Sequence, residues 1–160
     1  MNAFDQTITE LGLIRDPNAK TESYFCQYGE QIVLRPLHVM ALKHRLAESG
    51  EHILRISLHE SPASDFHQMI IVQRRRDGEI RPHKHLSKDE SHHVIEGVLV
   101  VEAHFDDRTL VTRLGAPGSG LPIMDRIKAG VYHATIAETE FVVFHESKPG
   151  PFNGSDSIFL

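Results

Sequence analysis

Apolar and polar residues alternate over short runs through most of the chain after residue 50, which is the pattern of β-strands with one buried face. Turn sequences such as Asp77-Gly78 and the glycine-rich segment 115–120 separate these runs. Short strands at this spacing predict an all-β fold, either an antiparallel sandwich or a small barrel. The strands are expected at 53–58, 67–74, 80–85, 91–95, 98–105, 109–114, 125–128, 131–137 and 140–146.

The first 50 residues follow a different pattern. Residues 1–35 show no clear period, apart from a short apolar run at 32–34 that suggests a strand. Helical spacing follows, with Pro36 suited to a first turn and Gly50 to a stop. The apolar positions of this helix are Leu37, Met40, Ala41 and Leu46. We expect the helix to pack on the sheet with His38 at its surface.

These patterns divide the chain into an N-terminal extension with a helix at 1–50, a β domain at 51–152 and a tail at 153–160 that lies on the surface. A chain of 160 residues buries roughly 70% of its unfolded surface without disulfides. Cys26 is the single cysteine, which excludes an intrachain disulfide and agrees with a reducing compartment.

Charge and hydropathy restrict the partners. The net charge of -5 argues against a nucleic-acid partner. No apolar run approaches the roughly 18 residues that a membrane span needs. Residues 1–16 also lack the basic start and apolar centre of a secretory signal. We therefore expect a soluble cytoplasmic protein.

Histidines at regular spacing carry the candidate chemistry. His83 and His85 alternate on one face of a predicted strand, about one pleat repeat apart, which suits two ligands of a single metal ion. Glu90 can arrive from the next strand and His133 from a third. This ligand set suits one divalent transition ion, such as Fe, Mn, Ni, Co or Zn, and does not suit calcium or a thiolate zinc finger. The alternative is a group of ordinary histidines, because the chain contains 12.

The spacing of these residues has a counterpart in a known family. The two motifs are His83-x-His85-x4-Glu90-x6-Gly97 and Gly130-x2-His133. They resemble the signature motifs of the cupin superfamily, and segments 55–97 and 141–152 (FVVFHESKPGPF) resemble the WbuC-type cupin fold metalloproteins. The resemblance implies a cupin double-stranded β-helix, which is a jelly-roll barrel, holding a metal. Bacteria often encode proteins of this resembled family beside genes for O-antigen and other surface polysaccharides.

Two positions depart from the resembled pattern. Lys128 stands where the second motif usually has proline, which loosens a turn but leaves the ligand in place. His92 stands where phenylalanine is common, so a polar side chain is added near the predicted metal.

Arg81 is the candidate substrate-binding residue. Strand parity places it on the face of His83 and His85, where its guanidinium would bind a carboxylate or phosphate. The alternative is an arginine at the barrel mouth that pairs with Glu79 or another carboxylate.

His92 and Glu146 are the candidate catalytic residues. By parity His92 shares the face of Glu90, where it would orient a ligand, contact substrate or act as a fifth ligand. Alternation allows only one of His145 and Glu146 to face the interior, and either would serve as an acid or base.

The resemblance implies a metal-dependent enzyme that modifies a sugar or nucleotide sugar by isomerisation or epimerisation, in surface-polysaccharide synthesis. The alternatives are a non-catalytic metal or small-molecule binding cupin and a metal-dependent dioxygenase. The pocket should be lined by Val94, Val100 and Thr135, which alternate inward beside the ligands. We also expect a homodimer, in which the region before Pro36, lacking a core of its own, makes the contact.

Overall fold

The computed structural model describes residues 3–26, 29–78, 80–152 and 155–160. The N-terminal elements are α1 (Ala3–Glu10), β1 (Leu13–Arg15), β2 (Ser23–Cys26) and α2 (Pro36–Glu48). The remaining strands are β3 (Ile53–Ser57), β4 (Phe66–Arg74), β5 (His83–His85), β6 (Glu90–Glu96), β7 (Val98–His104), β8 (Thr109–Gly115), β9 (Met124–Ile127), β10 (Tyr132–Ala137), β11 (Phe141–Pro149) and β12 (Ser157–Phe159).

The strands form two facing sheets. The first has the order β1-β2-β3-β4-β11-β6-β9 and the second the order β12-β5-β10-β7-β8. Within these sheets β2 and β3 run parallel, and the other pairs run antiparallel. The expected all-β jelly-roll architecture is confirmed.

Gly97 makes the tight connection between the two sheets. It joins β6 of the first sheet to β7 of the second and has φ = 77°, a backbone conformation that residues other than glycine rarely adopt. A Cβ atom at this position would lie 2.4 Å from Thr139 Oγ1 and 2.5 Å from the main-chain oxygen of Phe141. The glycine of the first motif is therefore required by both backbone conformation and space.

The barrel interior is apolar at one end. Its buried side chains are Ile53, Met69, Ile71, Val94, Leu99, Val101, Leu114, Ala137, Val142 and Phe144. They come from both sheets and alternate with outward residues, as a half-buried strand requires. Leu99, Val101 and Ala103 are the buried positions of β7, so Val100 points outward, and its expected place in the pocket is wrong.

A second core covers the outer face of the first sheet. Its buried residues are Ile8, Leu13, Tyr24, Cys26, Leu42, Leu46, Leu54, Ile56, Ile70, Val72 and Val143. Helix α2 begins at Pro36 as expected and ends at Glu48. Residues 1–35 were expected to lack a core of their own, and β2 instead extends the sheet by pairing with β3, so that its residues join this core. The run 32–34 is not a strand.

His38 is also placed differently from the expectation. It is buried, and its ring nitrogens are both satisfied: Nδ1 accepts a hydrogen bond from the main-chain N–H of Arg35, and Nε2 contacts the Leu11 carbonyl oxygen at 3.2 Å. The histidine thus fastens the start of α2 to the chain between α1 and β1. Neither helix in the described ranges is long and apolar enough to cross a membrane.

Residues 157–159 near the C-terminus form a strand of the second sheet. Strand β12 pairs with β5, with Ser157 opposite His85 and Phe159 opposite His83. The side chains of this strand stay mostly exposed, as expected of a surface tail, but its main chain supplies the outer neighbour of the short strand that carries two histidines.

Candidate metal centre

The structure brings together the four side chains that the spacing selects. His83, His85, Glu90 and His133 each offer one ligand atom, and these atoms all lie within 4.8 Å of one another. His85, Glu90 and His133 are buried, whereas His83 is half-buried. A cluster of this composition and size can hold a transition-metal ion.

Three neighbouring strands position these side chains. His83 of β5 lies opposite His133 of β10 in the antiparallel register, with ring centroids 4.6 Å apart. Glu90 begins β6 in the facing sheet. Gly130, with φ = 85°, donates its main-chain N–H to the His85 carbonyl oxygen at 2.7 Å, which ties the turn before His133 to β5.

The ring orientations suit metal binding. His85 Nδ1 donates to the Asp156 carbonyl oxygen at 3.1 Å, and His133 Nδ1 donates to the Val131 carbonyl oxygen at 3.0 Å. The Nε2 atoms of both rings then point at the Glu90 carboxylate, at 3.1 Å and 3.2 Å. Metal-ligating histidines commonly donate their other ring N–H to a main-chain carbonyl in this way, so the donor set fits a divalent ion.

The surroundings of Glu90 and of His83 lower the pKa of each side chain, and both shifts favour metal binding. Burial would raise the pKa of Glu90, but Lys148 and the three neighbouring histidines outweigh it and hold this pKa well below its usual value. Burial, with His133 nearby, lowers the pKa of His83 to about 4. The carboxylate is therefore ionised and the His83 ring neutral at neutral pH, which are the forms that bind metals.

His92 lies between two carboxylates, on the same face as Glu90 as parity predicts. Its Nδ1 donates to Asp125 Oδ1 and its Nε2 to Glu90 Oε1, both at 2.9 Å. Burial would lower its pKa, but these two partners raise it to about 10. The protonated ring therefore suits orienting Glu90 better than accepting a proton, and its double pairing leaves no lone pair for a fifth metal ligand.

Glu146 faces the interior and His145 does not. Glu146 is buried opposite His92 in the β11–β6 register, whereas His145 lies opposite His93 on the outer face. Burial and the nearby Glu90 would raise the pKa of Glu146, but Lys148 and His92 keep it below its usual value. Glu146 is thus a buried carboxylate beside the cluster.

Lys148 is a functional candidate that the sequence interpretation missed. Its Nζ donates to Glu90 Oε2 at 2.9 Å and to Glu146 Oε1 at 2.8 Å, and it lies 3.5 Å from His85 Nε2. The predicted strand ended at residue 146, although alternation continued for two residues would have placed Lys148 on the face of Glu146.

Arg81 lies outside the strand whose parity was used to place it. Strand β5 begins at His83, so alternation does not extend back through Pro82. Arg81 is exposed, donates from Nε to the main-chain oxygen of Leu160 at 2.7 Å, and stacks its guanidinium over the Phe159 ring. It therefore lies at the rim, separated from the cluster by Phe159. Its alternative partner, Glu79, lies outside the described residues.

The two remaining predicted pocket residues, Val94 and Thr135, both lie on inward faces of their strands. Val94 is buried inside the barrel. Thr135 pairs with Val101, shares the inward face of His133 and Ala137, and is half-buried. The polar cluster therefore occupies one end of the interior, directly against the apolar end.

Comparisons with known proteins identify the fold. No family model and no curated protein matches the chain. CapF, solved with the inhibitor 3-isopropenyl-tropolone, is 17% identical with a TM-score of 0.57 over 70% of this chain, which spans only 33% of CapF. A Shewanella oneidensis protein is 12% identical with a TM-score of 0.53, over 66% of this chain and 72% of that one.

A third solved structure is described as containing a double-stranded β-helix domain. It is an uncharacterised Klebsiella pneumoniae protein with a double-stranded β-helix domain, 20% identical with a TM-score of 0.52 over 69% of this chain and 81% of that one. At such identities the likeness extends to the fold alone. The chain has the all-β cupin fold, a double-stranded β-helix, with a His/Glu cluster inside it that could hold a metal ion.

Proposed function

We propose that the protein is a metal-dependent enzyme that modifies a sugar or nucleotide sugar by isomerisation or epimerisation. The observation that carries the proposal is the convergence of His83, His85, Glu90 and His133 beside a further buried carboxylate, Glu146. A divalent ion held by these four ligands would supply Lewis acidity for a carbonyl or hydroxyl group.

The neighbouring residues supply the other functions that such a reaction needs. Glu146 is kept ionised by Lys148 and can accept a proton from a carbon or hydroxyl of the substrate. His92 holds Glu90 in place through the bond from Nε2, while Asp125 fixes the other side of the ring. Arg81 at the rim is suited to an anionic part of the substrate outside the barrel, such as a nucleotide diphosphate.

The biological setting is supported by the resemblance of segments 55–97 and 141–152 to the WbuC-type cupins. It favours a carbohydrate substrate and a role in bacterial surface-polysaccharide synthesis, in the cytoplasm. A homodimer is part of the proposal. The contact through residues before Pro36 is less favoured by the structure, because β2 and Leu13 are already used within the chain.

The test is a screen of metal-loaded protein against nucleotide sugars. Mass spectrometry would detect a changed product, and deuterium uptake from solvent into the sugar would detect proton transfer at carbon. We expect deuterium incorporation that disappears in Glu146→Gln. Tight metal binding with neither turnover nor deuterium uptake would contradict the enzymatic proposal and favour a metal or small-molecule binding protein.

A metal-dependent dioxygenase is the second candidate, and the same ligand set supports it. Three histidines and one carboxylate also suit a redox-active iron site. Oxygen consumption by iron-loaded protein in the presence of the same sugars distinguishes the two reactions, because isomerisation consumes no oxygen.

A further inference from the structure

Lys148 lies directly beside the candidate metal ligands. Its ammonium is 3.5 Å from His85 Nε2 and 2.9 Å from Glu90 Oε2, so it touches two of the four candidate ligands. About 15% of the side chain remains exposed. A lysine at this depth costs considerable desolvation, so its position requires compensating partners.

The buried charges around Lys148 already balance. Glu90 and Glu146 supply two negative charges, and both attract Lys148 and the half-buried Arg55. His92 and Asp125 form a separate pair beside them. A divalent ion in the cluster would therefore add two positive charges that the described side chains do not offset. Excess positive charge in a buried site favours a negatively charged ligand.

Glu90 is also shared between the ammonium and the histidine cluster. In the structure Lys148 is a cation bound to the same Oε2 atom that faces His85. A metal ion on Glu90 would weaken that ion pair, because the carboxylate charge would then be divided between two cations. Lys148 would keep Glu146 as a partner and could donate its remaining protons to a group beside the metal.

We propose that Lys148 is a substrate-specificity residue that binds an anionic oxygen group, such as a carboxylate, on the sugar itself. This inference rests on the proposed function and names the substrate class as a sugar acid. Because the ammonium adjoins the candidate ligands, the anionic group belongs to the reacting end of the sugar. A distant nucleotide diphosphate would meet Arg81 at the rim instead.

The test compares glucuronate with glucose, which share a pyranose ring and differ in charge. Isothermal titration calorimetry measures their binding to metal-loaded protein, with inorganic phosphate as a third probe for a phosphate-specific site. Wild type should bind glucuronate about tenfold or more tightly than glucose, as a charge-assisted hydrogen bond implies. Lys148→Met should abolish that preference, while Lys148→Arg and the exposed control Lys20→Met keep it.

Metal binding gives a second readout that is independent of turnover. Lys148→Met should bind the metal at least as tightly as wild type, because the substitution removes a positive charge beside the ligands. If Lys148→Met does not fold, the double variant Glu146→Gln with Lys148→Met removes both members of the ion pair and takes its place.

Three outcomes would overturn the proposal. They are equal binding of glucuronate and glucose by wild type, a glucuronate preference that survives in Lys148→Met, and a preference for inorganic phosphate over glucuronate. Absence of turnover with clear glucuronate binding would instead count against the proposed enzymatic function and leave the binding role of Lys148 standing.

Discussion

The two ends of the barrel interior are built from the same strands but serve different purposes. Along β11, Val142 and Phe144 face the apolar end, and Glu146 and Lys148 face the polar end. Strand β6 makes the same change, from Val94 to His92 and Glu90. One strand scaffold therefore provides close packing at one end and fixes charged side chains at the other. We expect stability and chemistry to be separable by mutation.

The apolar end should dominate stability. Leu99 is fully buried there, so Leu99→Ala should lower the free energy of unfolding by about 3 kcal/mol, since a large cavity is left. Denaturant unfolding measures this value. Leu110→Ala, on the exposed face of β8, is the control and should change it by less than about 0.5 kcal/mol. A loss below about 1 kcal/mol in Leu99→Ala would mean that the interior is not close-packed.

Removal of a single charge at the polar end should destabilise the protein. Lys148→Met should lower the free energy of unfolding by about 2–3 kcal/mol, because Glu90 and Glu146 lose a buried partner. Glu146→Gln in the same chain should restore part of this loss. If Lys148→Met were as stable as wild type, the ion pair would not contribute to the fold.

The C-terminal strand should matter more for metal binding than for stability. A chain ending at residue 155 loses the Asp156 carbonyl oxygen that orients His85, so its metal affinity should fall about 10–100-fold. Phe159→Ala keeps the strand main chain and should retain most of the affinity. Calorimetric metal titration measures both. Unchanged affinity in the shortened chain would show that His85 does not need this partner.

Arg81 should have the smallest effect. It is exposed and bonded only to the tail in the contacts described, so Arg81→Ala should change the free energy of unfolding by less than about 0.5 kcal/mol. Metal affinity should also stay the same. A marked loss of metal in Arg81→Ala would place the residue closer to the cluster than the structure does.

Sequence patterns predicted the parts of this molecule that depend on local chemistry. Alternation located most strands because their two faces meet different surroundings, and the spacing of His83, His85 and Glu90 follows from the pleat of β5 and the start of β6. Helix α2 was predicted because Pro36 and a periodic apolar face mark it.

Features that depend on distant pairing were not predictable in this way. Strand β12 has three residues, two of them exposed, and exists because β5 offers it an edge. Lys148 was missed because Lys-Pro-Gly-Pro resembles a strand end, yet β11 continues through Pro149 beside Phe66. His38 is buried by a contact with Leu11, which is 27 residues away in sequence.

Elemental analysis of protein purified without an affinity tag tests the central claim most directly. Wild type should contain one divalent transition ion per chain, and so should His93→Ala, whose side chain lies on the outer face of β6. His83→Ala should retain about a tenth of that metal or less while remaining folded, because one of four ligands is lost. Unchanged metal content in His83→Ala would contradict the assignment of the metal centre.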